Sequence, residues 1–298
     1  MLRTWCAAVS MQTKRFLTVV MIGIVSMTSG QVIMKADSNG SKRLFPLMHG
    51  LVDRAKAQGA EFPKPYGLAI SSYYQRMEMG ISRIDLAGIA LDPQSGLINF
   101  GQSEIKNTVI SSQARADVWV LPFVNVYGML GRVSTFNNIN LQLNLNGSAI
   151  PGIGAGDVKL LERQEIANIN GRVLAIGTVV AGGYEKIFAN VNITYAKTYL
   201  EEVNSFQTAL VVFPMVGMST KFANLFVGAI YQDTGQQNRG SFLGTNGTVI
   251  PYSIRYDASL WNYTVGLNKS IGNWTVVVVQ GFGDRTNSVI EVGYRFGD

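Results

Sequence analysis

From residue 66 onward the chain is written in segments of about ten residues in which apolar and polar side chains alternate, and this period limits the folds open to it. Between residues 189 and 195, Ala189, Val191, Ile193 and Tyr195 share one face, while Asn190, Asn192 and Thr194 share the other. The split recurs with Trp261, Tyr263, Val265 and Leu267 against Asn262, Thr264, Gly266 and Asn268. It recurs again with Ala114, Ala116, Val118 and Val120 against Gln113, Arg115 and Asp117. Successive side chains of a strand point to opposite faces, so each segment is a strand with one apolar and one polar face. Two architectures satisfy that pattern: a soluble sandwich whose apolar faces form a core, and a membrane barrel whose apolar faces meet lipid.

Composition and the placement of aromatics favour the barrel. Charged residues make up 15% of the chain, against roughly 25% in soluble domains. No run reaches the ~18 apolar residues of a membrane-spanning helix, so insertion would have to use strands. Trp119 and Phe123, Tyr195 and Tyr199, Trp261 and Tyr263, Trp274, and Tyr294 with Phe296 fall near segment ends, where the headgroup girdles of a barrel are expected. Segments 173–180 and 276–279 are apolar on both faces and do not discriminate.

Connection lengths add a second test, because outer-membrane barrels alternate short periplasmic turns with longer external loops. Short links fall near Pro122 and at 182–185, 219–221 and 271–273; long ones fall at 92–104, 147–170 and 233–260, with a tight external link at 284–287. The count is ten strands: 66–80, 107–121, 123–135, 171–181, 186–199, 206–218, 223–233, 259–270, 273–283 and 288–296. The alternating segment 139–146 enters this count as an external extension of the third strand. Taken as a membrane strand of its own, with a partner near 82–91, it gives twelve. The expected fold is therefore all-β, an antiparallel up-and-down transmembrane barrel of about 10 strands (8–12) over residues 66–298.

The segments before the barrel have other signatures. Lys14 and Arg15 precede an apolar run at 16–27, and small residues follow at Thr28, Ser29 and Gly30. Residues 1–30 thus read as an export signal cut before Gln31, with Ala36 the alternative cleavage site and Met11 an alternative start. Residues 31–65 form a periplasmic segment in which Leu44, Met48, Leu51, Val52 and Ala55 have helical spacing, either as a plug or surface element or as a small helix packed on the barrel end. Pro63 and Pro65 end it. Cys6 would leave with the signal, so the mature chain has no thiol for disulfides or metals. Losing Arg3, Lys14 and Arg15 lowers the formal charge from +6 to +3, too little to argue for nucleic acid.

The last strand carries a further pattern. Ile290, Val292, Tyr294 and Phe296 alternate with Glu291, Gly293 and Arg295. Gly293, Tyr294 and Phe296 resemble the C-terminal assembly signal of bacterial outer-membrane proteins, read by the barrel-assembly machinery before an open edge can aggregate. Several further strings resemble a poorly characterised family of Gram-negative outer-membrane barrel proteins. They are Asp117, Trp119, Leu121, Pro122, Phe123, Asn125, Tyr127 and Gly128; Gly228, Tyr231, Gln232 and Asp233; Trp261, Asn262, Tyr263, Gly266 and Asn268; and Gly281, Phe282, Gly283, Asp284 and Arg285. The resemblance implies the barrel fold, location in the bacterial outer membrane among its lipids and lipopolysaccharide, and a transport or surface role, and it brings no catalytic residues.

Enzymatic chemistry has little to work with. The one histidine, His49, lies before the strands, which argues against histidine-dependent hydrolases. Glu201 and Glu202 sit in an expected external turn and read as a solvated face. Gly152, Gly154 and Gly156 lack the strand-to-helix setting of a phosphate loop. No catalytic, cofactor or metal site is expected. Side chains largely fill a ten-stranded barrel, so a wide pore is not expected either. The candidate lumen residues are Arg115, Asp117, Asn190, Asn192, Asn262, Glu291 and Arg295. Their charges serve either as a buried ion-pair brace or as the lining of a narrow polar path. The functional expectation is a narrow channel or transporter for small solutes, with a structural or surface-binding barrel as the alternative.

Overall fold

The computed structural model describes residues 63–86, 89–91, 98–99, 104–146, 157–201, 205–233, 237–243, 249–257 and 259–297. The export signal expected at 1–30, the helix expected at 44–57, His49 and Gly152, Gly154 and Gly156 lie outside them.

The described residues form fourteen strands in chain order: β1 (Tyr66–Leu86), β2 (Ile89–Leu91), β3 (Ile98–Asn99), β4 (Glu104–Leu121), β5 (Val124–Asn146), β6 (Asp157–Tyr184), β7 (Ile187–Leu200), β8 (Ser205–Ser219), β9 (Asn224–Asp233), β10 (Gln237–Leu243), β11 (Val249–Asp257), β12 (Trp261–Ile271), β13 (Trp274–Phe282) and β14 (Arg285–Phe296). Ten of them, β1, β4 to β9 and β12 to β14, pair antiparallel in sequence order. β1 closes the ring, pairing with β14 from Tyr66↔Phe296 to Met77↔Arg285 and with β4 from Tyr66↔Val118 to Gly80↔Glu104. Closure leaves the ten strands no open edge.

The ten strands are those expected from the sequence, and 139–146 belongs to β5 as an extension. The long loops differ. β6 begins at Asp157 rather than after residue 170, and its first residues pair with the far end of β5 from Asn146↔Asp157 to Ser134↔Asn170. The charged string Glu162, Arg163 and Glu165 lacks an apolar face and reads as loop, yet backbone pairing with β5 continues through it. The 233–260 connection contains the β10–β11 hairpin, and β11 runs beside β1 above β14, from Gly80↔Asp257 to Leu86↔Tyr252. β2 and β3 are short additions to β1 and β5 at the same end.

β7 shows how sequence period becomes barrel wall: exposed and buried residues alternate along its whole length. Ile187, Val191, Ile193 and Tyr195 face out, while Asn190, Asn192, Thr194 and Thr198 are buried inside. A soluble barrel would reverse this arrangement, because exposing an apolar belt to water is unfavourable in proportion to its area. The belt is bounded by aromatics. Tyr66, Phe123, Tyr184, Phe222, Trp274, Tyr294 and Phe296 are exposed at the end of the tight turns, and Tyr199, Phe206, Trp261, Tyr263 and Phe282 at the other.

Trp119 corrects the girdle expected from sequence: it points inward with 3% of its surface exposed. Strand parity decides this, since residue 119 shares a face with Arg115 and Asp117. A cation inside stabilises the indole there, with the Arg295 guanidinium 5.7 Å from its ring centroid.

Candidate functional site: the barrel lumen and its charge network

The interior has two unlike walls. Along β8 and β9 it is apolar, with Val211, Phe213, Met215, Phe226 and Ile230 buried and joined to Val277 and Val279 of β13. Along β4, β1 and β14 it is mostly polar: Asn107, Ser111, Gln113, Arg115 and Asp117 face Ser71 and Gln75, with Arg285, Asn287, Glu291 and Arg295 on the other side. A second apolar cluster, including Met129, Val133, Ile169, Val173 and Leu200, fills the β5–β6–β7 side.

Four of the candidate lumen residues meet at the turn end, and the strand between them explains how. β1 separates β4 from β14, and three of its inward residues there are small. Gly67 stands between Asp117 and Arg295, Ala69 between Arg115 and Gly293, and Ser71 between Gln113 and Glu291. Long side chains can therefore cross above β1. Arg295 Nη2 donates to Asp117 Oδ1 at 2.5 Å, and Arg115 Nη1 donates to Glu291 Oε2 at 3.0 Å. Arg115 Nε also lies 3.5 Å from Asp117 Oδ2, which links the two pairs. A Cβ at residue 67 would collide with the Asp117 carboxylate, so glycine is required by close approach.

Neighbouring groups complete the network. Asn125 Nδ2 donates to Asp117 Oδ1 at 2.7 Å, and Arg295 Nη1 donates to the Lys64 carbonyl at 2.8 Å. Two cations and two carboxylates balance, as buried charges must when each costs several kcal/mol to desolvate. The remaining cavity beside Arg115, Asp117, Thr275, Glu291 and Arg295 is about 10 Å³, near the least space that holds a single water. At this level side chains plug the barrel.

The other candidates lie apart from this cluster. Asn192 Oδ1 accepts from the Tyr127 hydroxyl at 2.7 Å, and Thr194 Oγ1 lies 2.5 Å from the same hydroxyl. Gly177 makes room for that ring, because a Cβ there would fall on it. Asn262 is at the opposite end, where its Nδ2 donates to Asn287 Oδ1 at 2.6 Å, near Arg285, which donates to Gln232 Oε1 at 2.5 Å. Asn190 faces inward, and neither polar atom of its amide has a partner among the described residues. The sequence marks Asn125, Tyr127, Gln232 and Arg285 only within the strings of the family resemblance and assigns none of them, nor Asn287, to the lumen. The small residues Gly67, Ala69 and Ser71, at a spacing of two, were the available signal for the crossing.

On the closing strand Gly293 lies on the inward face between Glu291 and Arg295, while Tyr294 and Phe296 face out. Phe296 stacks on Tyr66 at 5.8 Å and Tyr294 meets Trp274 edge-on at 5.0 Å between ring centroids. Glu201, expected as a solvated charge, accepts from Arg172 Nε at 2.8 Å on the barrel exterior.

No protein-family model matches the chain, and no curated protein matches it in sequence. Solved structures with a similar course are outer-membrane β-barrels. The translocator domain of the autotransporter NalP from Neisseria meningitidis is 11% identical with a TM-score of 0.36, covering 82% of this chain and 92% of its own. An outer membrane channel from Pseudomonas putida F1 is 9% identical with a TM-score of 0.35, covering 78% and 96%. The toluene transporter TodX from Pseudomonas putida is 8% identical with a TM-score of 0.31, covering 86% and 96%. At this level of similarity, the ten-stranded closed barrel rests on the chain's own strand pairing.

Proposed function

We propose that the chain spans the bacterial outer membrane and carries a narrow path for small polar solutes, shut at its periplasmic mouth by the Arg115–Glu291 and Arg295–Asp117 pairs. The observation that carries this is the polar wall of β4, β1 and β14. It runs from Asn107 and Arg285 at one end to Asp117 and Arg295 at the other, opposite an apolar wall, and the four charges cross it at the mouth. Among the described residues, Asn107 Oδ1, Gln113 Oε1 and Asn287 Nδ2 on this wall lack protein partners, and hydration satisfies such groups. The proposal assigns the barrel no catalysis, cofactor or metal.

Planar-bilayer recording tests it. The unaltered protein is expected to show small, infrequent openings, and Arg115→Ala with Glu291→Ala should raise conductance by removing both arms of one crossing. Silence of both proteins, each shown to be folded by its gel shift on boiling, would count against a solute path.

A second reading has its own observation. β5 and β6 continue pairing well past the girdle residue Phe136, out to Asn146 and Asp157, so a long hairpin stands clear of the belt. A surface-binding barrel would act through it. Deleting residues 141–163 should then abolish cell or partner binding while the barrel still folds.

A further inference from the structure

The outer wall carries a site unlike the rest of the belt. On neighbouring strands, Ala116 of β4, Gly128 of β5, Ile176 of β6 and Tyr195 of β7 stand side by side in register, all on the outward face. The two smallest leave a groove of about 790 Å³ walled by Leu174, Ile176 and Tyr195, with Lys197 at its upper end. A Cβ added at Gly128 would meet nothing within 4 Å, so the floor is open to the outside.

Above the groove the wall turns basic. Arg132 and Arg172 are directly opposite each other across the β5–β6 ladder, both exposed, and Lys197 pairs with Leu174 one outward step below. Like charges directly opposite on a sheet destabilise it unless something between them is negative. Glu201 answers Arg172, Lys197 lies 4.1 Å from the Phe206 ring centroid, and Arg132 has no carboxylate partner among the described residues. The cluster therefore carries a net positive charge. It is also one-sided, since β8, β9 and β13 contain no Lys or Arg.

Depth identifies what would meet these cations. Arg132 is nine residues from Phe123, at the opposite end of the belt. At ~3.3 Å per residue and a tilt of about 40°, that places it some 23 Å higher, close to the ~25 Å height of a lipid-facing band. We propose that this face binds one phosphorylated lipid of the outer leaflet, its acyl chain in the Ala116–Gly128 groove and its phosphate on Arg132, Arg172 and Lys197. The inference rests on the membrane placement proposed above and is independent of conduction.

The test uses the full chain refolded in neutral micelles, titrated with bisphosphorylated lipid A or its dephosphorylated counterpart and read by native mass spectrometry. One bisphosphorylated lipid A should stay bound. Arg132→Ser and Arg172→Ser should each weaken binding roughly fivefold, and Gly128→Phe should abolish it by filling the groove. Lys269→Ser, at an exposed site near the β12–β13 turn, should leave it unchanged. Equal binding by all variants, equal retention of the dephosphorylated lipid, or a lipid-free dimer broken by Gly128→Phe would each overturn the proposal. A gel shift on boiling for every variant separates these outcomes from failure to form a membrane barrel at all.

Discussion

Arg115 and Glu291 are 176 residues apart in sequence and 3.0 Å apart in the barrel, joined above Ala69 of the strand that lies between theirs. Their side chains are 7% and 2% exposed, so each is the other's main compensation for leaving water. Glu291→Ala would strand the Arg115 charge and is expected to cost about 3–5 kcal/mol. Arg115→Met with Glu291→Leu removes both charges and should cost clearly less. Urea unfolding in micelles, followed by the gel shift on boiling, measures the difference. Equal losses for the single and double variants would show that the pair is not compensating.

The crossing at Gly67 is a steric requirement and predicts an unusually large effect for a single methyl group. Gly67→Ala places a carbon on the Asp117 carboxylate and must push it away from Arg295. The expected loss is a few kcal/mol, in the range for overpacking combined with a broken buried pair. Gly80→Ala, on the same strand, meets nothing within 4 Å and serves as the comparison. Similar small losses at both positions would refute the crowding.

Tryptophan orientation separates the interior from the belt. Trp119 is 3% exposed, whereas Trp261 and Trp274 are 50% and 55% exposed. In variants that lack Trp5 and keep one of these three, brominated acyl chains should strongly quench Trp261 and Trp274 and leave Trp119 much brighter. Quenching of Trp119 to the same extent would mean that it faces lipid, as its position near a strand end first implied.

Trp119 also shows where a sequence is legible and where it is not. The two-residue period puts Arg115, Asp117, Asn190, Asn192, Asn262, Glu291 and Arg295 on inward faces, because period is local. For Trp119 two local signals conflict: parity with Asp117 points it inward, and its position near a strand end points it to the girdle. The meeting of Arg115 with Glu291 depends on closure, which makes β4 and β14 neighbours of one strand, and no local pattern encodes that adjacency. The start of β6 is illegible for a different reason. Outside lipid a paired strand has no need of an apolar face, so Glu162, Arg163 and Glu165 read as loop.

One tight turn stores strain that substitution can release. Glu185 begins the two-residue link between Tyr184 and Ile187 with φ of 54°, a left-handed conformation that costs a side-chain-bearing residue roughly 1–2 kcal/mol. The corresponding turn between β12 and β13 uses Gly272 at φ 59°. Glu185→Gly is expected to stabilise the barrel by about 0.5–1 kcal/mol, since glycine's added freedom in the unfolded chain offsets part of the relief. Lys186→Gly, where φ is not positive, should destabilise it. Urea midpoints of the two variants moving in the same direction would contradict the turn geometry.

The closing strand allows assembly in the cell to be distinguished from stability of the finished barrel. Phe296 stacks on Tyr66 at the rim and is 40% exposed, so Phe296→Ala removes one exposed aromatic contact. Such a pair is worth about 0.5–1.5 kcal/mol beyond its area, and refolding into micelles should survive the change. If Gly293, Tyr294 and Phe296 are also read by the assembly machinery, the same variant should fall several-fold in outer-membrane abundance and accumulate in the periplasm or be degraded. Phe222→Ala, an 81%-exposed aromatic in the β8–β9 turn, removes similar apolar surface at the same end without touching the terminal strand. Equal abundance of the two variants in cells would assign Phe296 to the rim of the barrel alone, and a drop confined to Phe296→Ala would assign it to recognition.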